Sequence, residues 1–404
     1  MRGNELCFHD RANLIDAAYV QVAIVLFAVF AATMANGAVF ATLGLFGREI
    51  GLGEFEVGVI FASSGLLFFL TASSWGRLAD RVGRTRVMAL GLIATALSLA
   101  VFAAFYAARW PDAFLGLLAA RAVYGLFAGG IQPAAIAWMV EATPRGRRRA
   151  GIALVGAAVS VGSVVGPAFV AVLVGLGFAW PVVVAGSLVA LAAFAVVGVG
   201  EGARPAAVAQ ASTGAIDGLT DCMLLAFVMV VGFGALQPTT AFYVQDRFGL
   251  QTAIAIREVG YASAAFAAGA FLIQAFGVRA LGLATRSMTA LGFVICLAGI
   301  AGTLVAHGPG ALIASFVVLG IGYGLAQSGL MADAARLGGE HRQGQVAGRL
   351  QAVMAAGWIV GALAGTALYS LAIQAPLLIA GGALALCAIR TVLPSARTPS
   401  ARPP

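Results

Sequence analysis

Arg121 stands inside an apolar run, Arg121-Ala-Val-Tyr124-Gly125-Leu126-Phe127-Ala128-Gly129-Gly130. A permanent charge in such a segment is costly, so it reads by default as a functional group. The structural alternative is a guanidinium that bonds backbone carbonyls or snorkels outward. A second constellation is Gly76-Arg77-Leu78-Ala79-Asp80-Arg81-Val82-Gly83-Arg84-Thr85-Arg86, one carboxylate among four arginines with two glycines. Asp80 at a helix end can pair with a neighbouring helix bundle or cap a helix N-terminus. An ordinary arginine-rich loop would need no such carboxylate. Glu141 with Arg145, Arg147, Arg148 and Arg149, and Glu340 with Arg342, form two further clusters. These read either as interfacial ion pairs that exchange between states or as solvated charge runs.

Other chemistries are not represented. The chain has no phosphate-cradling Walker loop, no Ser/His/Asp or Cys/His arrangement and no cluster of metal ligands. It therefore reads as no enzyme, with no cofactor and no metal. Asp16, Glu54, Glu56, Asp112, Asp217, Asp221, Asp246 and Asp333 all fall near the ends of apolar segments. No residue stands out as a membrane-buried proton carrier. Cys7, Cys222, Cys296 and Cys387 show no paired spacing, which implies neither a disulfide framework nor a zinc site.

The elements that must position these groups follow from composition. The 404 residues are 61% hydrophobic and 10% charged, with a mean hydropathy of +0.98. That balance cannot cover a soluble core and describes an all-α integral membrane protein. A transmembrane β-barrel would show alternating segments of about ten residues instead. Apolar runs predict twelve transmembrane helices near 18–46, 55–78, 86–108, 113–140, 148–176, 179–199, 219–245, 255–277, 281–305, 309–335, 344–371 and 374–393. The first run is too long for a cleaved signal peptide and reads as a signal anchor and first span. All 24 basic residues are arginine, and 19 of them fall in alternate loops and tails on one side. This is the positive-inside pattern rather than a nucleic-acid patch. It puts both termini in the cytoplasm and the chain, multi-pass, in a bacterial inner (plasma) membrane.

The polar Ala/Gly/Ser-rich stretch 200–218 divides the spans six and six. The expected organisation is a cytoplasmic tail over 1–16, one six-helix bundle over 17–199, a cytoplasmic linker over 200–218, a second bundle over 219–393 and a tail over 394–404. The halves repeat. Tyr124-Gly125-Leu126 recurs as Tyr323-Gly324-Leu325, and Gly162 and Gly166 recur as Gly361 and Gly365, all at the same 199-residue offset (323 − 124). Glu141 recurs as Glu340 at that offset. Two pseudo-symmetric six-helix bundles follow. Helical spacing places Arg121, Tyr124, Gly125, Ala128 and Gln132 on one stripe, which lipid would not favour.

The 76–86 run closely resembles the loop-two/three signature of the major facilitator superfamily of secondary transporters, and the resemblance extends over residues 17–393. It implies that Asp80 helps hold the cytoplasmic side closed, that Gly76 and Gly83 permit close helix approach, and that Arg81 and Arg84 join the ionic latch with Glu141, Arg145, Glu340 and Arg342. The matching loop of the second half, around Gly277-Val278-Arg279, is degenerate and lacks the aspartate. The Arg121 segment is similar to the span-four motif of proton-coupled exporters, where the arginine is thought to influence proton transfer and to bond back to span one. Many of those exporters carry a carboxylate in span one, where this chain has Asn36. The run Gly156 to Gly162-Ser-Val-Val-Gly166-Pro167 resembles the glycine-rich span-five motif of the family's antiporters, which departs here in having Val170-Ala171 for the trailing glycine pair.

In the family's architecture spans one, four, seven and ten line a central cavity. That assigns to it Asn36, Tyr124, Gln132, Phe233, Gln237, Tyr243, Tyr323 and Gln327, each of which reads equally well as packing glue between helices. The implied function is proton-coupled efflux of a small lipophilic or weakly polar solute by alternating access. The implied partners are a small-molecule substrate, protons and the lipid bilayer, with no nucleic acid, and a monomer as the working unit. An exporter dedicated to an endogenous metabolite or metallophore, an importer, and a non-transporting membrane scaffold remain the other readings.

Overall fold

The structure, a computed structural model, describes residues 2–108, 113–201 and 218–392, with side chains from Tyr19 onward except Ser73, Arg145, Arg149 and most of 339–347. The helices are α1 (Arg2–Glu49), α2 (Glu54–Val82), α3 (Arg84–Ala108), α4 (Phe114–Ala128), α5 (Ile131–Ala142), α6 (Arg148–Leu173), α7 (Ala179–Val197), α8 (Leu219–Phe248), α9 (Thr252–Leu272), α10 (Val278–Leu281), α11 (Thr285–Val305), α12 (Pro309–Tyr369) and α13 (Ala375–Val392). They supply twelve stretches long and apolar enough to cross a bilayer. Hydrocarbon offers backbone groups no partner, so helices that satisfy their own amides are the form such stretches take. Hydroxyls obey the same constraint. Thr42 bonds the Ala38 carbonyl, Thr95 that of Gly91, Thr303 that of Gly299 and Thr366 that of Ala362, each one turn back.

Glycines set the helix spacing. A Cβ on Gly162 would come within 2.7 Å of the Phe30 carbonyl oxygen, and one on Gly166 within 2.5 Å of that of Met34, so α6 lies directly on α1. The repeat partners do the same on the other side: Gly361 and Gly365 of α12 abut the backbone of Val231 and Ala235 on α8. Gly125 of α4 abuts Ser64 of α2, and its repeat partner Gly324 abuts Ala270 of α9. The sequence repeat is thus a repeat of contacts.

Three expectations need correction. Gly156 and Gly76 have open space where a side chain would go and bring no helix closer. Gly156 precedes Gly162 by six residues, about 240° around a helix, and so faces away from α1. Span four is two helices, α4 and α5, broken at Gly129-Gly130. The Leu126 carbonyl freed by the break accepts hydrogen bonds from Trp75 Nε1 (2.6 Å) and Thr71 Oγ1 (3.2 Å) of α2. Gln132, past the glycines, is exposed. The helix α1 begins at Arg2, ahead of the first span, which begins at Tyr19.

The 61-residue helical run α12 carries two spans, Pro309–Gly338 and Gly348–Tyr369. Straight, it would extend about 92 Å, some three times the hydrocarbon thickness. It folds back instead. Ser315 lies against Gly302, Thr303 accepts from Tyr243, and Tyr369 donates to Asp246, which puts both ends of α12 at one face. The linker expected over 200–218 falls, apart from its ends, outside the described residues.

Gly166→Ala should lower stability by about 1–3 kcal/mol, as overpacking does, whereas Gly156→Ala should leave the melting temperature of the purified protein unchanged. Thermal unfolding of both variants in one detergent checks the contrast.

Candidate functional site

Arg121 is 2% exposed. Its Nη1 and Nη2 both donate to Asn36 Oδ1 at 3.3 Å, and Nη2 also donates to Ser64 Oγ at 3.1 Å. The guanidinium carbon lies 4.4 Å from the Tyr124 ring centroid, 5.7 Å from that of Phe61 and 5.8 Å from that of Phe40. Phe40 and Phe61 are themselves stacked at 4.4 Å. Nε has no hydrogen-bond partner, and no carboxylate pairs with Arg121 among the described residues. The charge is met by three ring faces and two neutral acceptors drawn from spans one, two and four.

The second half holds an uncharged counterpart. Phe233 packs on Tyr323 at 4.5 Å and on Phe266 at 5.7 Å, and Tyr323 lies 5.5 Å from Phe266. The repeat offset carries Arg121 to Gly320 (320 − 121 = 199), whose missing side chain admits the Phe266 backbone. Gln327 accepts from Gln274 Nε2 at 3.3 Å, within its own half. Tyr243 is buried and donates to the Thr303 carbonyl at 3.2 Å, and Gln237 is exposed. The eight residues assigned to the cavity therefore separate: Asn36 and Tyr124 contact the charge, Phe233 and Tyr323 belong to an aromatic cluster of the second half, Tyr243 and Gln327 bond within that half, and Gln132 and Gln237 are exposed.

The Asp80 loop organises the end of the first half. Asp80 pairs with Arg84 one turn on, and Arg84 Nε reaches Glu141 Oε1 at 3.2 Å. The Asp80 side chain is 62% exposed and that of Glu141 only 5%. Arg81 is exposed. Gly83 has φ +115°, and the Glu201 carboxylate occupies the space a side chain would take there. Glu201 accepts from the backbone N–H of Arg84 (2.8 Å) and from Thr85 Oγ1 (2.5 Å), which caps α3 from the far end of the half. Partial burial would raise the Glu201 pKa. The Thr85 hydroxyl and the amides of Arg84, Thr85 and Arg86 outweigh it and hold the carboxylate below its usual range. The expected role of Gly83 differs from what is found: the group close to it is a carboxylate rather than a helix. In this state Asp80, Arg84 and Glu141 pair with one another inside one half. Arg342 is half-buried, and the side chains of Arg145 and Glu340 lie outside the described set.

The halves meet at the opposite end, through residues that sequence reasoning did not single out. Arg48, at the end of α1, donates from Nη1 to Asp246 Oδ1 (2.6 Å), from Nη2 to Asp246 Oδ2 (2.9 Å) and to Glu54 Oε1 (2.6 Å). The two parallel bonds to Asp246 are the strong geometry for this pair. The Arg48 guanidinium lies 4.6 Å from the Phe242 ring centroid, and Tyr369 OH donates to Asp246 Oδ2 at 2.6 Å. Nearby, Gly58 abuts Thr366, Gly44 abuts Ala241 and Gly260 abuts Pro167, so the seam continues from the Arg48 cluster toward mid-membrane. The only sequence signal was three charges beside span ends. Arg48 and Asp246 are 198 residues apart, and nothing local links them.

Twelve spans in two repeated six-helix halves, joined at the Arg48 end, are the architecture of a membrane transporter. The chain belongs to the Major Facilitator Superfamily, whose model matches residues 25–348 and 222–404. It is 23% identical over 172 residues to the quinolone resistance protein NorA of Staphylococcus aureus (strain MRSA252), covering 43% of each protein. It is 27% identical over 176 residues to multidrug resistance protein 2 of Bacillus subtilis (strain 168), covering 42% of this chain and 41% of that one. These matches thus span less than half the length of either relative. In fold it is similar to a bacterial homologue of the human lysosomal transporter Spinster, solved in an inward-facing and unoccupied conformation, with TM-score 0.70 and 15% identity over 93% of this chain and 94% of that one.

Two outcomes test these clusters. A cysteine placed at the buried Thr366 should react several-fold faster with a membrane-impermeant maleimide applied from the Arg48 side once Asp246→Asn removes the charge and one of the two parallel bonds; an unchanged rate would mean the pair does not hold that end. A carboxylate whose folded pKa is depressed stabilises above the unfolded value and loses that contribution as pH falls through the folded one. Wild type should therefore melt above Glu201→Gln at neutral pH, and the gap should close as pH falls below the ordinary carboxylate range.

Proposed function

We propose that this chain is a secondary active exporter that moves a small lipophilic or weakly polar solute outward in exchange for protons. The observation that carries the reading is the pair of charged clusters at opposite ends of the seam, one joining the halves and one held within a single half. Alternating access needs two closures that are not made together. With the arginine-rich side in the cytoplasm, the closed Arg48 end faces outward, and the central space opens inward toward the solute to be removed. In the opposite state Asp80 leaves Arg84 and, with Arg81, Glu141, Arg145, Glu340 and Arg342, closes the cytoplasmic end.

The glycine seam supports export as well. Gly162 and Gly166 hold span five against span one, the contact the resemblance associates with antiporters. The aromatic clusters around Arg121 and Tyr323 supply apolar walls in both halves, which suits a solute with an aromatic or aliphatic body better than a sugar. The names of the two relatives, quinolone resistance and multidrug resistance, point the same way. The working unit is a monomer of two bundles, residues 17–199 and 219–393, in the inner membrane with both termini inside.

Everted vesicles with an acid interior test this. Addition of a transported compound should alkalinise the lumen, and Asp80→Asn should reduce that flux at least tenfold while the protein still reaches the membrane. Wild-type flux in Asp80→Asn would remove the latch assignment. Silence across a broad panel of antibiotics and amphiphiles, with expression verified, would remove the multidrug reading.

A further inference from the structure

We infer that Arg121 is the recognition point for an anionic group on the solute, so that the preferred cargo is an amphipathic monocarboxylate rather than a lipophilic cation. The inference deepens the transporter reading and rests on it. Arginine stays charged at any pH a cell meets, and this one is buried with its Nε unpartnered and without a carboxylate partner among the described residues. A buried charge persists when something negative compensates it at some stage of the working cycle. The side chain in the compensating position is Asn36, whose single Oδ1 takes both terminal nitrogens of the guanidinium at 3.3 Å. Charge-assisted bonds to an anion run nearer 2.7–2.9 Å. The amide holds the place of a better acceptor without being one.

Asn36 is also the member of the cluster placed to yield. It is half-buried on span one, whereas Ser64 and Arg121 are fully buried behind it. Span one is held by Gly162 and Gly166 on one side and reaches the second half through Gly44 on the other, so Asn36 stands between the guanidinium and the seam. A carboxylate entering from the seam meets two parallel N–H donors, the geometry arginine offers such groups. The rings of Phe40, Phe61 and Tyr124 then flank the body attached to it. One guanidinium suits one negative charge, because the repeat position in the other half is Gly320 and supplies no second cation. A cationic solute would be repelled at the same point.

The full-length protein in lipid nanodiscs tests this by thermal unfolding with three matched probes: 1-naphthaleneacetate, its neutral primary amide, and 2-(1-naphthyl)ethylammonium. The acetate should raise the melting temperature saturably, at concentrations at least tenfold below those the amide or ammonium compound needs. Asn36→Asp places a carboxylate on the guanidinium in a side chain of nearly the same shape. It should melt higher than wild type without ligand and bind the acetate at least tenfold more weakly. Arg121→Gln, which removes the charge instead, should also lose the preference for acetate over amide. Equal stabilisation by acetate and amide, or undiminished acetate binding in Asn36→Asp, would overturn the inference. So would chloride, replacing gluconate as the only buffer anion, stabilising wild type as fully as the acetate, since the site would then serve a free halide. Failure of the exporter reading looks different: acetate binding with the predicted variant pattern but no coupled flux in vesicles leaves the anion site standing and removes transport.

Discussion

Hydrocarbon has no hydrogen bond to give, and this constraint governs the whole molecule. It forces every span into a helix, turns threonine hydroxyls back onto their own carbonyls, and brings Trp75 and Thr71 across from α2 when the Gly129-Gly130 break frees the Leu126 carbonyl. It also removes the hydrophobic effect as a force between helices, since lipid tails are as apolar as leucine. Close backbone approach must hold the bundles together, and glycine is what allows it. The pairs Gly162/Gly166 and Gly361/Gly365 perform the same task in the two halves, each laying the fifth helix of its half on the first.

The same constraint sorts the charges. Almost all of them sit at span ends, where water and headgroups solvate them. There they form two dissimilar clusters. The Arg48 cluster joins the halves through a bidentate arginine–aspartate pair braced by Glu54 and Tyr369. The Asp80 cluster is self-contained, with Arg84 and Glu141 as partners and Glu201 capping α3 beside it. A rocking motion would exchange these roles: the bonds that make one end cohesive must be surrendered for the other end to close. Arg121 is the exception to the sorting. It is retained inside a span, wrapped in rings and neutral acceptors, and the repeat places a glycine at the matching position of the other half. The two halves share a scaffold and differ in charge.

Much of this was legible in the residue order, because bilayer physics acts on short stretches. Spans of some twenty apolar residues, the arginine asymmetry of the loops, the 199-residue repeat and the isolated Arg121 are one-dimensional signals, and they were enough for the fold class and the family. The tertiary structure decided what depends on which helices touch. Gly76, Gly156 and Gly83 look alike as letters, yet the first two face open space and the third faces a carboxylate 118 residues away (201 − 83). Span four reads as one apolar run, yet Gly129-Gly130 divides it into α4 and α5. Arg48 and Asp246 carry no local mark of partnership, because their pairing is made by the docking of two bundles rather than by spacing along either. Helix periodicity and hydropathy are local, and the sequence by itself therefore determined the twelve spans and their helical class; contact between distant ends is a property of the packed whole, and only the tertiary structure decided which residues join the two halves.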